Sequence, residues 1–287
     1  MKQWLTKSSF VHLLFLILIS SSVTITASPK TSYHADSIVI SKWLVPINDS
    51  LFIKPDAILP WMDSLKQFAA QNESPYVDFT YNNSRANYFW ATIQYDSALG
   101  YYRKAYQYAL KGNLKRPLVY VLGNLGILYN YLGNFDSSTY YYTWATNKAK
   151  EFQLYDTYVR NIINHSFILN QHAQYSKSIV MLHEAQQISA RLNNAELDAL
   201  LASALANVYY SLNDIDQMHK HLRVALSYYK DTQNQPILTT HYVNFAESFS
   251  SLVFNYDSAF FYFNKALAIS NDRNRPEILN AIDFTKG

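Results

Sequence analysis

The chain has 287 residues, of which 49% are hydrophobic and six are glycine, a composition typical of a packed globule rather than a disordered or fibrous chain. It has no cysteine, which excludes disulfide bonds, thiol nucleophiles and thiolate metal sites. Two of the positive charges, Lys2 and Lys7, precede residue 28, and no acidic residue does. Without Lys2 and Lys7 the chain has 22 basic and 21 acidic side chains, which gives a net charge of +1. This near-neutral balance predicts no nucleic-acid binding by this segment.

Residues 1–27 have the layout of a secretory signal peptide. A basic start is followed by an apolar run from Phe10 to Ile19 and by a small-residue tail that ends at Ala27. We expect cleavage after Ala27 and an exported protein, periplasmic or secreted. The alternative is an uncleaved N-terminal membrane anchor, although the apolar run is shorter than the roughly 20 residues that span a bilayer.

The clearest pattern in the chain is a repeat of about 40 residues that occurs five times. Small residues recur every 40 positions, and bulky apolar residues recur three positions after them. The small set is Ala86, Gly126, Ser166, Ala206 and Ala246, and the bulky set is Phe89, Tyr129, Leu169, Tyr209 and Phe249. Periods of about 20 to 50 residues are typical of solenoids, in which each repeat buries its apolar face on its neighbours.

A third set of positions starts a small, large, small triplet at spacing i, i+4, i+7. These triplets begin at Ala98, Ser138, Ser178, Met218 and Ala259, with steps of 40, 40, 40 and 41. Apolar spacings of three and four indicate two helices in each repeat, one for each stripe. The turn between them ends in an aromatic residue, Asp and Ser, as in Phe135-Asp136-Ser137, and we expect Asp or Ser to cap the second helix.

This arrangement resembles the tetratricopeptide repeat, a helix–turn–helix unit with a small residue facing a large one. The second unit carries the pattern most fully, in Leu122, Leu125, Gly126, Tyr129, Gly133, Phe135, Ser138, Tyr142 and Ala145. The resemblance implies an all-α, right-handed superhelical solenoid of about five repeats over residues 76–275, at about 76–116, 117–155, 156–195, 196–235 and 236–275. The family's usual unit has about 34 residues. In each unit the six extra residues follow the triplet of the second helix, as after Ala105, so we expect longer second helices.

The flanking segments differ from the repeats. Residues 28–55 show no helical period and contain Pro29, Pro46 and Pro55, which predicts an irregular lead-in. Residues 56–75 carry an amphipathic stripe that predicts an N-terminal capping helix. Residues 276–287 look like the start of a sixth repeat or a partial C-terminal cap.

The sequence contains no catalytic constellation. His219 and His221 are two residues apart, so on a helix they point in nearly opposite directions and cannot chelate one ion. There is no glycine-rich phosphate loop and no nucleophile elbow. We therefore expect a non-enzymatic protein without a metal or another cofactor.

In the tetratricopeptide family the first helices of successive repeats line a concave groove that binds peptides, and the resemblance implies the same face here. The candidate residues at the matching positions are Asn87, Trp90, Asn124, Asn130, Tyr131, Arg160, Asn164, Asn170, Asn207, Tyr210 and Asn244. Asparagine both donates and accepts hydrogen bonds, so a row of asparagines can pair with an extended peptide backbone. The alternative is that these amides bond one another or water.

Two functions are compatible with these features. The first is a protein- or peptide-binding scaffold that acts outside the cytoplasm. The second is the ligand-sensing, extracytoplasmic part of a membrane-bound regulator of the histidine kinase or DNA-binding type, because exported arrays with such turns resemble that class. Membrane contact is then expected only through residues 1–27, if they are uncleaved, or through a part of the protein that this chain lacks.

The signal-peptide interpretation predicts that the mature protein begins near Ser28. N-terminal sequencing of material from the native host should show a chain about 27 residues shorter than the translated one. Membrane-bound material that retains Met1 would support the anchor instead.

Overall fold

A computed structural model describes residues 34–51, 54–231, 235–270 and 275–286. The predicted signal peptide lies outside these residues. The described part of the chain is helical, without strands. The helices are α1 (His34–Ser50), α2 (Leu59–Gln71), α3 (Pro75–Ala91), α4 (Tyr95–Lys111), α5 (Lys115–Tyr131), α6 (Phe135–Glu151), α7 (Tyr155–Gln171), α8 (Tyr175–Ser189), α9 (Ala195–Ser211), α10 (Ile215–Asp231), α11 (Gln235–Ser248), α12 (Tyr256–Ile269) and α13 (Arg275–Lys286). A 3₁₀ turn, Pro55–Ile58, precedes α2, and a π-helical segment, Phe249–Val253, follows α11.

The helix pairs repeat with a half-period of 20 residues. Helices α3 to α7, α9 and α10 each have 17 residues, and α8 has 15. Three residues separate neighbouring helices from α3 to α11, except that five separate α8 from α9. A 34-residue unit divided in the same way would have helices of about 14 residues. The expectation that the extra residues lengthen only the second helix is therefore wrong: both helices of a pair are lengthened equally.

Most of these turns are built from backbone hydrogen bonds. In the first, the N–H of Gln94 donates to Phe89 O and that of Ile93 to Trp90 O, at 2.7 and 3.0 Å, the pattern of a Schellman motif. The middle residue of these three-residue turns has a positive φ, as at Ile93, Gly133 and Asn213. This closure needs no particular side chain, which explains why the turns vary in sequence.

The helix caps differ from the expectation. The N-cap lies one residue before the aromatic position: Asn134 Oδ1 accepts from the N–H of Ser137 and Asn255 Oδ1 from that of Ser258, at 2.9 and 3.0 Å. The Asp of each turn lies inside the first helical turn, where a negative charge favours the helix dipole. The expectation that Asp or Ser caps these helices is therefore wrong.

The chain divides into two compact units, with the boundary between Asn164 and His165, inside α7. In the first unit, α3 packs on α4 and α5 on α6 through the small positions. Gly126 is buried in α5 directly against Tyr142 of α6, which is fully buried. The bulky positions stack on the second helix twelve residues later, Phe89 on Tyr101 and Tyr129 on Tyr141, with ring centroids 5.3 and 5.2 Å apart.

The second unit follows the same rules. Helix α9 packs on α10 and α11 on α12. Ala206, Met218, Ala246 and Ala259 are fully buried. The Oγ of Ser178 donates to Ser166 O at 3.1 Å, which joins α8 to the end of α7. The small set, the bulky set and the triplets were interpreted as one pair of helices in each repeat, and this interpretation is therefore confirmed in both units.

The N-terminal segment corrects one prediction. Residues 34–50 form helix α1 rather than an irregular lead-in, although Pro46 lies within it. Ile40, Ile47 and Leu51 are buried against the following helices. Their burial offsets the single backbone hydrogen bond that a proline removes. Helix α2 occupies most of the predicted cap, 56–75, and α13 packs on α12 through Ile278 and Ile282.

The close approach of α5 and α6 predicts opposite effects for two glycine substitutions. A Cβ at Gly126 would lie 2.8 Å from Tyr142, whereas one at Gly100, exposed on α4, meets no atom within 4 Å. We expect Gly126→Ala to lower the free energy of unfolding by about 1–3 kcal/mol. The matched Gly100→Ala should raise it by about 0.5–1 kcal/mol. Chemical denaturation measures both, and equal effects would contradict the packing described.

Candidate functional site

The candidate asparagines lie on the first helices α3, α5, α7, α9 and α11. In each compact unit we call the side on which neighbouring first helices meet the first-helix face of that unit. Neighbouring first helices meet there at a sequence offset of 41, as Asn83 with Asn124 and Asn170 with Ser211 do. Because the repeat is 40 residues, these two contacts join a residue to the sequence neighbour of its counterpart. The two compact units are described in turn.

In the first unit the face carries a row of half-buried amides, Asn83, Asn124 and Asn164, one from each of three successive first helices. The Nδ2 of Asn124 donates to the Oδ1 of Asn83 at 3.1 Å. The Oδ1 of Asn164 is shielded from solvent and has no hydrogen-bond donor among the described residues. This row is thus partly an internal network and partly unsatisfied.

Aromatic side chains lie at the C-terminal ends of α3 and α5. Trp90 is largely buried and contacts the half-buried Tyr131 edge-on, with ring centroids 5.6 Å apart, and Tyr95 also contacts Tyr131. Burial, reinforced by Tyr95, raises the pKa of Tyr131 to about 12. Asn130 is half-buried beside Tyr131 in the sequence. Asn87 faces inward, and its Oδ1 accepts from the hydroxyl of Tyr102 at 2.5 Å.

An ion pair joins the N-terminal ends of α5 and α7. Arg116 donates to both carboxylate oxygens of Asp156, at 2.6 and 3.2 Å, and to the Oγ1 of Thr157 at 2.7 Å. Burial would raise the pKa of Asp156, but the Arg116 guanidinium outweighs it and lowers that pKa. Arg160 is half-buried one turn further along α7 and also lowers the pKa of Asp156.

In the second unit the candidate asparagines are buried. The Nδ2 of Asn170 donates to Asn207 Oδ1 at 2.6 Å and to Ser211 Oγ at 3.0 Å. Asn244 is 2% exposed. Asn170 and Asn207 therefore pair with each other, as the alternative interpretation of the sequence expected, and they join α7 to α9.

Tyr210 remains accessible at the end of this face. It is half-buried, and its hydroxyl lies 3.5 Å from the Oγ of Ser251, which follows α11. Burial raises the pKa of Tyr210. The contact with Ser251 opposes this rise, and the carboxylate of Glu247 adds to it. The second unit thus presents a polar cluster, Tyr210, Glu247, Ser250 and Ser251.

Two histidines of the second unit are almost completely buried, His165 on α7 and His241 on α11. His241 stacks on Tyr229 with ring centroids 5.2 Å apart, and its Nε2 lies 3.3 Å from the Oγ of Ser203. Burial lowers the pKa of His241 to about 4, and burial with Lys177 nearby lowers the pKa of His165 to about 4. Both rings are therefore neutral at pH 7.

Among the described residues, no group of three or more His, Asp or Glu side chains is placed to hold a metal ion. None of the helices described is both long and apolar enough to cross a bilayer. His219 and His221 point apart as expected: His219 contacts Phe245 and Phe249, whereas His221 stacks on Tyr209.

No family model matches the sequence, and no curated protein matches it. In structure the chain is similar to BtubC (BKLC) from P. vanneervenii, with 18% identity over 80% of this chain and 90% of that one and a TM-score of 0.59. It is also similar to a Rap protein complexed with competence and sporulation factor, with 10% identity, coverage of 98% and 86% and a TM-score of 0.66. NprR in complex with its cognate peptide NprX has 14% identity, coverage of 97% and 82% and a TM-score of 0.60. These likenesses confirm the all-α, tetratricopeptide-type repeat fold.

Sequence reasoning missed four residues of this face. Asn83 and Ser211 escaped because a strict 40-residue phase does not reveal contacts at an offset of 41. The pair of Arg116 with Asp156 was visible as opposite charges 40 residues apart near two helix starts.

The buried histidines predict a loss of stability at acidic pH. In the unfolded chain these histidines are protonated near pH 6.5, whereas in the folded chain His165 and His241 are protonated only near pH 4. The free energy of unfolding therefore falls as the pH drops from about 6.5 to 4. We expect a decrease on the order of 2 kcal/mol per histidine, measured by denaturant titration between pH 7 and 4. His241→Gln should remove about half of this dependence, and an unchanged pH profile in that variant would contradict the assignment.

Proposed function

We propose that the first-helix face binds an extended protein or peptide segment and that the chain has no catalytic activity of its own. The observation that carries this proposal is the row Asn83, Asn124 and Asn164. Three half-buried amides follow one another on neighbouring helices, and their hydrogen-bonding capacity is only partly used.

The energetics favour a ligand with its own backbone donors and acceptors. A shielded polar atom without a partner costs about 1–3 kcal/mol. Part of that cost is recovered when the half-buried Asn164 side chain turns its Oδ1 outward to accept a ligand N–H. An extended peptide offers alternating N–H and C=O groups along its length. It therefore matches a row of amides regardless of its side chains.

The aromatic and charged groups beside this row can add selectivity. Trp90 and Tyr131 form an apolar corner at one end of α3 and α5. Arg160 and the pair of Arg116 with Asp156 form a charged region near the other end of α5 and α7. Two of the structurally similar proteins support this proposal, because NprR was solved with its cognate peptide and the Rap protein with competence and sporulation factor.

We further propose that this binding takes place outside the cytoplasm, on the basis of the signal-like residues 1–27. In the alternative, the same face is the sensor of a membrane-bound regulator. Reading the coding sequence beyond Gly287 for an apolar stretch of about 20 residues separates the two, because only the regulator requires one.

The binding test uses a displayed library of random peptides selected on the immobilised chain. Asn164→Ala should weaken a recovered peptide by about 0.5–1.5 kcal/mol, roughly two- to tenfold in Kd, for one neutral hydrogen bond. The melting temperature should hardly change, because alanine is the better helix former. Isothermal titration and thermal melts measure the two effects.

Two control variants sharpen this test. Asn147→Ala changes an exposed asparagine on the second helix α6 and should alter neither quantity. Asn207→Ala breaks the buried pair with Asn170 and should lower the melting temperature. If Asn164→Ala behaves like Asn207→Ala and leaves affinity unchanged, the amide row is an internal network and the proposal fails.

A further inference from the structure

The segment formed by the 3₁₀ turn and α2, residues 55–71, matches α4 at the 40-residue period. Met62 and Leu65 are buried, as are Tyr102 and Ala105 at the matching positions of α4. Helix α2 therefore occupies the place of a second helix in front of the first repeat. Within the first compact unit, α2, α3 and α4 are the counterparts of α4, α5 and α6.

In the later of these two arrangements, the side of the first helix that lies between the second helices is apolar. Leu118, Val121 and Leu122 of α5 are buried. Tyr106 of α4 contacts Trp144 of α6, with ring centroids 5.7 Å apart, so an aromatic pair joins the two second helices. None of these five side chains carries a charge at pH 7.

At the matching positions the earlier arrangement is polar and open. Asp78, Tyr81 and Asn82 replace the three apolar residues of α5, and Lys66 and Lys104 replace the aromatic pair. Two ammonium groups repel each other and do not close the space as two rings do. A cavity of about 560 Å³ remains, and these five residues contribute to its lining. Its volume lies within the range of about 300–1,000 Å³ that is typical of small-molecule sites.

The wall that α3 contributes is rich in hydrogen-bond acceptors. The Nδ2 of the buried Asn82 donates to the backbone O of Asp78 at 2.8 Å, which leaves Asn82 Oδ1 available to a ligand. Among the residues that the structure describes, none forms a hydrogen bond or an ion pair with the half-buried carboxylate of Asp78. Burial raises the pKa of this carboxyl, and the charge of Lys111 opposes the rise. A ligand donor would replace the hydration that burial removes from the carboxylate.

The outer edge of the cavity is cationic. Lys66 and Lys104 are exposed, and neither is ion-paired with a described residue. The ammonium of Lys104 lies 4.9 Å from the ring centroid of Tyr101. A ligand that satisfies both parts of the cavity therefore needs an anionic group for the lysines and a donor for Asp78 and Asn82. An ammonium group is the strongest such donor, because its hydrogen bonds are charge-assisted.

We propose that this cavity binds a small zwitterion, a free α-amino acid, with its ammonium group on Asp78 and Asn82 and its carboxylate between Lys66 and Lys104. The site lies between second helices and is separate from the first-helix face. It does not depend on the peptide binding proposed above.

The test is a thermal-melt screen of the full chain against the common L-amino acids at millimolar concentration, followed by isothermal titration. A ligand that binds only the folded chain raises its melting temperature. For the amino acid with the largest rise, the N-acetyl derivative lacks the ammonium group and the amide derivative lacks the carboxylate. We expect each derivative to bind more weakly by roughly tenfold. A screen in which no amino acid raises the melting temperature would overturn the proposal.

Two variants assign the ammonium group to its partner. Asp78→Asn keeps the shape of the side chain and removes its charge, so it should weaken the amino acid by roughly tenfold and leave the N-acetyl derivative unaffected. Asp96→Asn, on the exposed first turn of α4, is the matched control and should change neither affinity. Full amino-acid affinity in Asp78→Asn would contradict the proposal. An affinity that Asn164→Ala also reduces would place the ligand on the first-helix face and contradict it as well.

A double variant tests whether the two lysines keep the cavity open. Lys66→Tyr with Lys104→Trp introduces the aromatic pair of the second repeat. We expect it to melt at the same or a higher temperature and to lose amino-acid binding. A double variant that folds and still binds the amino acid would overturn the assignment of the site, whereas peptides selected on the first-helix face should bind it unchanged.

Discussion

The close approach of the two helices in each pair is the contact on which the rest of the structure depends. Where Gly126 meets Tyr142, no room remains for a single methyl group, and the small residues of the other repeats are buried at the same position. This contact sets the rotation of the first helix. It thereby decides which side chains face the second helix and which are left on the first-helix face.

A second constraint is the offset between neighbouring first helices. Successive pairs stack so that residues 41 apart are in contact, although the sequence repeats every 40. Several polar side chains therefore meet the neighbour of their counterpart, whereas Arg116 meets its counterpart Asp156. Asn124 pairs with Asn83 for this reason, and Tyr210 lies by Ser251 and not by Ser250. Equivalent positions in the sequence are thus not equivalent in their hydrogen bonding, and some amides of a regular row are satisfied while others are not.

The parts of the fold that the sequence predicted are those in which one residue type is forced at each repeat. Ala98, Tyr102 and Ala105 recur as a triplet because every second helix must pass the same close contact. Helix α1 was missed because only Ile40, Ile47 and Leu51 anchor it, a spacing too sparse to show a stripe, and its burial depends on helices that follow later in the chain. The step of 41 residues from Met218 to Ala259 was visible in the sequence. The sequence did not show that a π-helical segment accommodates the additional residue. For the site, the sequence offered pairing of the amides as an alternative but could not name the partners, because pairing depends on the crossing of two helices.

The turns between helices are closed by backbone hydrogen bonds, and their side chains are largely uncommitted. Ile93, Gln153 and Ala173 occupy a conformation that glycine or asparagine adopts more easily, and they point away from the core. Each such turn holds a small amount of strain that the helix packing sustains. Each of these turns can therefore change its chemistry without any change in the helices on either side of it. In evolutionary terms, each turn is a place where new contacts can arise independently of the first-helix face.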